Sequence, residues 1–379
     1  MNNAYITRAA GFLPNQPVDN DHMEDYLGML NGKPSKARRI VLNQNGIKTR
    51  YYAIDKQGNT THTNVQMAAE AIRRLTYEKF KLDDIDVLAC GTASPEQLIP
   101  SHGVMVHGEL GSKKNMEVVS FAGSCCTGMN ALKYAYMSVI TNNASNAVAS
   151  ASERTSAWMK ASYFQAETDM LNKLEGQPML AFEKEFLRWM LSDGAFALLV
   201  QQQPSESSIS LRIDWIDFES YANEKETCMY AGGEKDDKGN LKGWASFPAN
   251  EWLEQSLFAV HQDTRLLGRN IVKLGGQMMV EIAEKHNFVA DDIDWYMPHL
   301  SSMYFKDKIL EEMKAVGLYI PEERWFLNLP RIGNIASASA FAMIEEAMRT
   351  GILKRGQHIL MMIPESARFS YCYCMMTVV

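Results

Sequence analysis

Two observations predict an α/β fold made of two pseudo-symmetric halves. Short apolar runs of strand length, bounded by Asp, Gly and Pro, alternate with amphipathic helical stretches. That alternation favours a sheet with mostly parallel pairing. The tetrapeptide Asp-Asp-Ile-Asp occurs twice, at Asp83–Asp86 and Asp291–Asp294, each time between a helical stretch and an apolar run. The displacement between the copies, 208 positions, also carries Cys126 onto Asn334. Both residues lie in small-residue turns, Gly-Ser-Cys-Cys-Thr-Gly and Ile-Gly-Asn-Ile-Ala-Ser, that open onto amphipathic helices. A repeated α/β unit brings equivalent helix N-termini side by side across a pseudo-twofold axis. The halves are expected at 1–204 and 205–379.

Taken in order, Tyr5–Gly11 reads as a first strand. Asn64–Leu75 carries the helical period, with Thr63 or Asn64 as N-cap, since either side chain can accept a bond from first-turn N–H groups. Ile85–Cys90 is short enough for a buried strand. Ser101–Leu110 is a helix, Met116–Ser120 a strand, and Asn130–Ile140 a helix with Leu132, Ala135 and Tyr136 on one face. Ala147–Ser152 and Ala195–Gln201 are strands, and between them Trp158–Leu191, rich in Met, Phe and Glu, reads as a helical insertion. The second half repeats the pattern. It has a strand at Ile209–Trp215, helix over Trp252–His286 interrupted near Gly268 and Gly275, and a strand at Ile293–Met297. Helices at Ser302–Val316 and Ala338–Met348 follow, then strands at His358–Ile363 and Ser370–Val378.

Composition narrows the function classes. Apolar residues at 46% and charged residues at 22% suit a folded globular chain, not a disordered one. No run reaches the roughly 20 apolar residues of a membrane-spanning helix. The first residues lack the basic start and apolar block of a signal peptide, so a cytoplasmic location is expected. A net charge of −7 argues against nucleic acid, whose binding needs a concentrated basic face. Positive charge does concentrate locally: Lys33, Lys36, Arg38, Arg39, Lys48 and Arg50 stand without an acid among them. Such a run is either a solvated face or a docking patch for an acidic partner. The cysteines Cys90, Cys125, Cys126, Cys228, Cys372 and Cys374 form no CxxC pair and have no His at zinc spacing. Free thiols and no metal site are therefore expected.

Three residues carry candidate chemistry. Cys126 stands where a strand meets a helix, and N–H groups at a helix N-terminus stabilise a thiolate and lower its pKa. Its Gly, Ser and Thr neighbours permit close approach of a substrate. Cys125 is expected to point the other way, into the core. His299 ends the strand Ile293–Met297 at the C-terminal edge where α/β sheets place their sites. Asn334, matched to Cys126 by the repeat, brings an amide to the same cleft.

These residues resemble the β-ketoacyl-acyl-carrier-protein synthase III group of the thiolase superfamily, over essentially the whole chain. The opening Ala4-Tyr-Ile-Thr with Gly11-Phe-Leu-Pro14, Gly46-Ile-Lys-Thr-Arg50, Gly91-Thr-Ala-Ser-Pro95 and Ser192-Asp-Gly-Ala195 are similar to that family's segments. So are Cys126-Thr-Gly, Pro298-His299 and Gly333-Asn-Ile-Ala-Ser-Ala-Ser339, its Cys, His and Asn motifs. The resemblance implies a five-layer αβαβα fold and a homodimer. It implies acylation of Cys126 by a thioester donor, then Claisen condensation in which His299 and Asn334 bind the carbonyl of a malonyl-type extender and stabilise its enolate. It implies no metal or redox cofactor, with acyl carrier protein or coenzyme A thioesters as partners. Because carrier proteins are acidic, Lys36, Arg38, Arg39, Lys48 and Arg50 become candidate docking residues.

The chain departs from the pattern in two places. Leu300-Ser-Ser follows His299 in place of Gln-Ala-Asn, and Pro364-Glu-Ser-Ala-Arg-Phe-Ser-Tyr371 replaces the Gly-rich C-terminal loop. The backbone N–H groups of Cys126 and of Ser366 or Ala367 are the expected oxyanion-hole donors. These departures resemble a divergent subgroup that includes ketosynthases joining two fatty-acid-derived chains into dialkylresorcinol precursors. An acyltransferase of the same fold, passing the acyl group to an alcohol or amine, is the alternative reading. A non-catalytic chain-length subunit is a third, disfavoured because the nucleophile is present.

Overall fold

Period-two alternation decides which face each strand buries, and here it sorts the apolar side chains into three cores. The computed structural model describes residues 2–30, 32–163, 187–236 and 238–379. Among these, nine strands form one sheet: β1 (Tyr5–Phe12), β2 (Val87–Thr92), β3 (Glu117–Ala122), β4 (Asn146–Glu153), β5 (Gly194–Gln201), β6 (Leu211–Ser220), β7 (Trp295–Pro298), β8 (His358–Glu365) and β9 (Ser370–Val378). The main helices are α1 (Asn64–Arg73), α2 (His102–Leu110), α3 (Thr127–Ile140), α4 (Thr264–His286), α5 (Lys306–Ala315) and α6 (Ser339–Thr350).

The sheet order is β7-β8-β9-β6-β1-β5-β4-β2-β3. Read outward from its middle, β1-β5-β4-β2 in one arm repeats as β6-β9-β8-β7 in the other. The arms join through only two register pairs, Tyr5 with Arg212 and Ile6 with Leu211. The repeated Asp-Asp-Ile-Asp does the same work in each arm. Asp84 accepts from the Lys81 N–H (2.7 Å) and Asp292 from the Val289 N–H (2.9 Å), capping a 3-10 turn. Asp86 then accepts from the N–H of Asn146 at the start of β4 (3.1 Å), and Asp294 from the N–H of His358 at the start of β8 (2.8 Å).

Pairing is mixed, not mostly parallel. β2 runs parallel to β3 and β4, and β7 to β8; the other ladders are antiparallel. The sequence periodicity does not report direction. The short connection from Glu365 to Ser370 can only close an antiparallel pair.

Alternation builds the layers. Ile359, Met361 and Ile363 of β8 and Cys372, Cys374 and Met376 of β9 face a central core shared with Ala89, Ala149 and Leu198 of the first arm. Helices α3 and α6 fill that core from both halves. Leu88, Cys90 and Val148 face outward, toward α1 and α2. Leu360, Met362, Tyr371 and Tyr373 face outward on the other arm, toward α4 and α5. Helices outside, arms of sheet between and helices at the centre make the five layers of a thiolase-like α/β fold.

Local expectations hold or fail for identifiable reasons. Thr63 caps α1 in a reciprocal capping box with Gln66. Helix α4 starts at Asp263, whose carboxylate accepts from the Leu266 N–H (2.8 Å), and runs unbroken through Gly268 and Gly275. Those glycines were expected to interrupt it. Gly275 instead lets the helix lie close to Tyr371, whose ring would stand 3.3 Å from an added Cβ. The segment before it is not a long helix: Glu251–Glu254 is one turn, Ser256 has φ 49°, and His261–Gln262 pairs with Met229–Tyr230. Most of the expected insertion at 158–191 lies outside the described residues.

Candidate active site

The C-terminal end of β8 is the spine on which the site is built. Its Met362 carbonyl accepts the backbone N–H of His299 at 2.7 Å. The next carbonyl, Ile363, accepts the thiol of Cys126 at 3.2 Å. Two residues on, the Glu365 carboxylate accepts the backbone N–H groups of Cys126 (3.0 Å) and Ser124 (3.2 Å) through one oxygen. One strand therefore fixes both the helix head that carries Cys126 and the strand end that carries His299.

Cys126 is the N-cap of α3 and is buried. Gly128 behind it permits a close crossing, because an added Cβ would lie 2.3 Å from the carbonyl oxygen of Ser337. Ser337 belongs to the loop that follows Asn334. Asn334 is held by its backbone, donating to Met190 (3.0 Å) and accepting from Ser192 (2.9 Å), while its side-chain oxygen accepts from Ala336 (2.9 Å). Its Nδ2 makes no hydrogen bond among the described residues. His299 is buried, and its Nε2 has no hydrogen-bond partner among the described residues. Desolvation lowers its pKa to about 4, so the imidazole is neutral near pH 7.

The thiols behave differently from the sequence expectation. Helix-end N–H groups were expected to favour a thiolate at Cys126. Its pKa is instead pushed well above the ordinary value, first by burial and then by the Glu365 carboxylate beside it. Cys125 is pushed up to about 12 for the same two reasons in the same order. Beside burial, the spine contributes: the N–H groups that would stabilise a thiolate are donated to Glu365. Burial raises the pKa of Glu365 as well, and the two N–H bonds only partly oppose it.

An apolar pocket opens from this point into the outer layer between α4 and α5. Cys125, His299, Pro364 and Ser366 line it, Leu267, Ile271, Met279, Ile309 and Met313 form its apolar walls, and Glu312 of α5 lies among them. Cys125 thus lines the pocket rather than pointing away from it, while the Cys126 thiol turns toward Ile363. A second, smaller pocket shares His299 and is bounded by Gly333, Asn328 and Met343.

The remaining expected residues separate. The Cys126 N–H, expected as an oxyanion donor, is engaged by Glu365. Ser366 lines the pocket, and its hydroxyl donates to Gln262 (3.1 Å). Ala367 accepts from Cys228 and Met229 through its carbonyl. Of the docking candidates, Arg50 is fully buried, bonded to Asn20 and Trp189, so its charge cannot meet a partner. Arg38 pairs with the buried Glu24 at 2.7 Å. Arg39 and Lys48 are exposed, and Lys36 opens the helix Lys36–Asn45.

The half-buried carboxylate Glu365 and the buried carboxylates Glu153 and Asp193 escaped the sequence reading. Glu365 was visible only as a departure from a Gly-rich loop. Glu153 ends β4 and accepts from Ala93 N–H (2.9 Å), Ser94 hydroxyl (2.6 Å) and both donors of Ser337. Asp193 accepts from Ala53 (2.7 Å) and Ser156 (2.9 Å) N–H groups. A Glu after a small-residue strand was the available signal for Glu153; its donors come from two separate segments, 92–94 and Ser337.

Comparison with known proteins agrees with this architecture. A family model described as the C terminal of 3-oxoacyl-[acyl-carrier-protein] synthase III matches residues 283–363. A β-ketoacyl-[acyl-carrier-protein] synthase III of Clostridium perfringens is 24% identical over 365 residues, covering 95% of each chain. The solved structure of AbyA1, a tetronic acid condensing enzyme, superposes with a TM-score of 0.75 at 18% identity, covering 99% of each chain. OleA of Xanthomonas campestris, solved with lauric acid and lauroyl-CoA bound, superposes at 0.72 with 17% identity and 99% of each chain covered.

Proposed function

We propose that this chain, a member of the thiolase-superfamily condensing enzymes, joins two acyl units by Claisen condensation through Cys126, His299 and Asn334. The observation that carries the reading is the shared spine: consecutive carbonyls of β8 hold Cys126 and His299, and His299 lines an apolar pocket together with Cys125, the residue next to Cys126. In the first step Cys126 sulfur attacks the carbonyl carbon of a donor thioester and the donor thiol leaves. In the second, neutral His299 and the Asn334 amide donate hydrogen bonds to the acceptor's thioester oxygen. They stabilise the enolate formed as a malonyl-type acceptor loses carbon dioxide or a β-ketoacyl acceptor loses a proton. The enolate carbon then attacks acyl-Cys126, giving a β-keto thioester and the free thiol.

The unusual segment Pro364–Arg368 and the Leu-, Ile- and Met-lined pocket support placement in the divergent subgroup that joins two fatty-acid-derived chains. Met walls adapt to flexible apolar ligands. Donor and acceptor are thioesters of acyl carrier protein or coenzyme A, with Arg39, Lys48 and Lys36 as docking candidates. A homodimer is supported by β3, an edge strand with unpaired backbone groups, near the exposed Leu98, Ile99, Val104 and Met105. Six free cysteines suit a reducing, cytoplasmic setting, and no helix among the described residues is long and apolar enough to cross a membrane.

The test is intact-protein mass spectrometry with a panel of acyl donors, followed by product analysis with malonyl and β-ketoacyl acceptors. Acyl adducts that disappear as β-keto products form support the reading. Acyl loading that survives Cys126→Ala, or products that are esters or amides, overturns it.

A further inference from the structure

We infer that Glu365 is a positioning residue that occupies the anion site at the head of α3 in the free enzyme, so that a donor thioester reacts with Cys126 only by displacing it. Two features place it there. One oxygen of the carboxylate accepts both the Cys126 and the Ser124 N–H groups, at 3.0 and 3.2 Å. Pro364 and Ser366, which flank it, line the same pocket as His299, whose buried Nε2 has no partner among the described residues. One donor pair, satisfied from within, thus stands beside the pocket, and the His299 imidazole stands in its lining.

The occupant controls the thiol in two ways. Its negative charge opposes ionisation of Cys126, and it removes from use the N–H groups that would stabilise a thiolate or an acyl oxyanion. The other titratable groups acting on Cys126 are Cys125, Cys372 and Tyr371. All are uncharged near pH 7, because burial raises each of them. Glu153 acts on Cys125, from the side of β4. Burial is the larger influence on Cys126, and among the groups acting on it Glu365 is the carboxylate. A donor carbonyl that takes the two N–H bonds sends the Glu365 side chain away, and the thiol and its oxyanion site become available together.

This deepens the condensing-enzyme reading and rests on Cys126 as nucleophile. The test is alkylation of the folded enzyme by iodoacetamide between pH 6 and 10, with the modified peptide identified, for wild type, Glu365→Gln and Glu365→Ala. Gln keeps the shape and removes the charge; Ala also frees the N–H groups. Losing a like charge lowers a neighbouring thiol pKa by about one unit or more. After the lower nucleophilicity of the more acidic thiol is counted, Cys126 alkylation at pH 7 rises about threefold to tenfold in E365Q, and more in E365A. Wild-type pH–rate curves in both variants, or an increase confined to Cys125, overturn the proposal. If E365A does not fold, as thermal melting reports, the isosteric E365Q decides alone. Wild-type acyl loading, measured separately, distinguishes the outcomes. Absence of loading in wild type and E365Q alike removes the condensation reading and the donor step proposed here with it, whereas normal loading with wild-type alkylation curves in E365Q removes this proposal alone.

Discussion

Ser337 donates its backbone N–H to the buried carboxylate of Glu153 at 3.3 Å, and its hydroxyl reaches the same oxygen. The bond joins the end of β4 in one arm to the loop after Asn334 in the other. Glu153→Ala would orphan buried donors from Ala93, Ser94 and Ser337 at once. We expect a loss of about 3 kcal/mol or more, read as a lowered urea midpoint, together with weaker condensation because the Asn334 loop loses its anchor.

The paired cysteines separate by function. Cys126→Ala is expected to abolish acyl loading, with at least a 1,000-fold drop flagged by about 4 kcal/mol of lost nucleophilic catalysis. Cys125→Ala keeps loading and changes only the fit of the acyl chain, because Cys125 lines the pocket wall. Peptide-level mass spectrometry after a single donor incubation checks both.

Acid sensitivity has a defined source. His102 and His299 are buried with folded pKa values lowered to about 4 from 6.5. A histidine of this kind takes up a proton on unfolding, so its stabilising effect is complete above about 6.5 and is lost as pH falls toward 4. Each contributes a loss of about 2 kcal/mol between pH 7 and pH 5. The carboxyls Glu153, Asp193 and Glu365 have raised folded values. Their contribution has the opposite sign, present below about 4.5 and lost as pH rises through the folded value. His102→Gln isolates one histidine: its unfolding free energy, from denaturant titrations at both pH values, should fall about 2 kcal/mol less than wild type's.

Gly128→Ala sets two effects against each other. Alanine is favoured over glycine in a helix by roughly 0.5–1 kcal/mol. Here the added Cβ would meet the Ser337 carbonyl oxygen at 2.3 Å and Ala151 Cβ at 2.9 Å. Backbone cannot swing aside as a side-chain tip can, so overpacking wins, with a net loss of about 2 kcal/mol. A melting temperature raised by the substitution would contradict this.

Much of the architecture was legible in the chain. Strands such as Ser370–Val378 showed because both faces are buried and apolar, and the Asp-Asp-Ile-Asp repeat showed because each copy caps the same turn and pins the same strand start. Strand direction was not legible, since β9 lies against β8 through a turn whose geometry leaves no periodic trace. Gly268 and Gly275 misled because a glycine that admits a neighbouring ring looks, in sequence, like one that ends a helix. The head of α3 was readable from its small residues. Its electrostatics were not, because they follow from burial in the folded core and from Glu365, which arrives from 239 positions away.

The central core has a practical corollary. Its walls come from both arms, its two helices from both halves, and the connector at 202–210, exposed over most of 203–208, is the covalent link from β5 to β6. A chain opened in that connector would yield two fragments, each carrying one wall and one helix of an apolar interior. Such fragments should be insoluble when made singly and should reassemble when co-expressed, which makes this fold a natural candidate for reconstitution from split pieces.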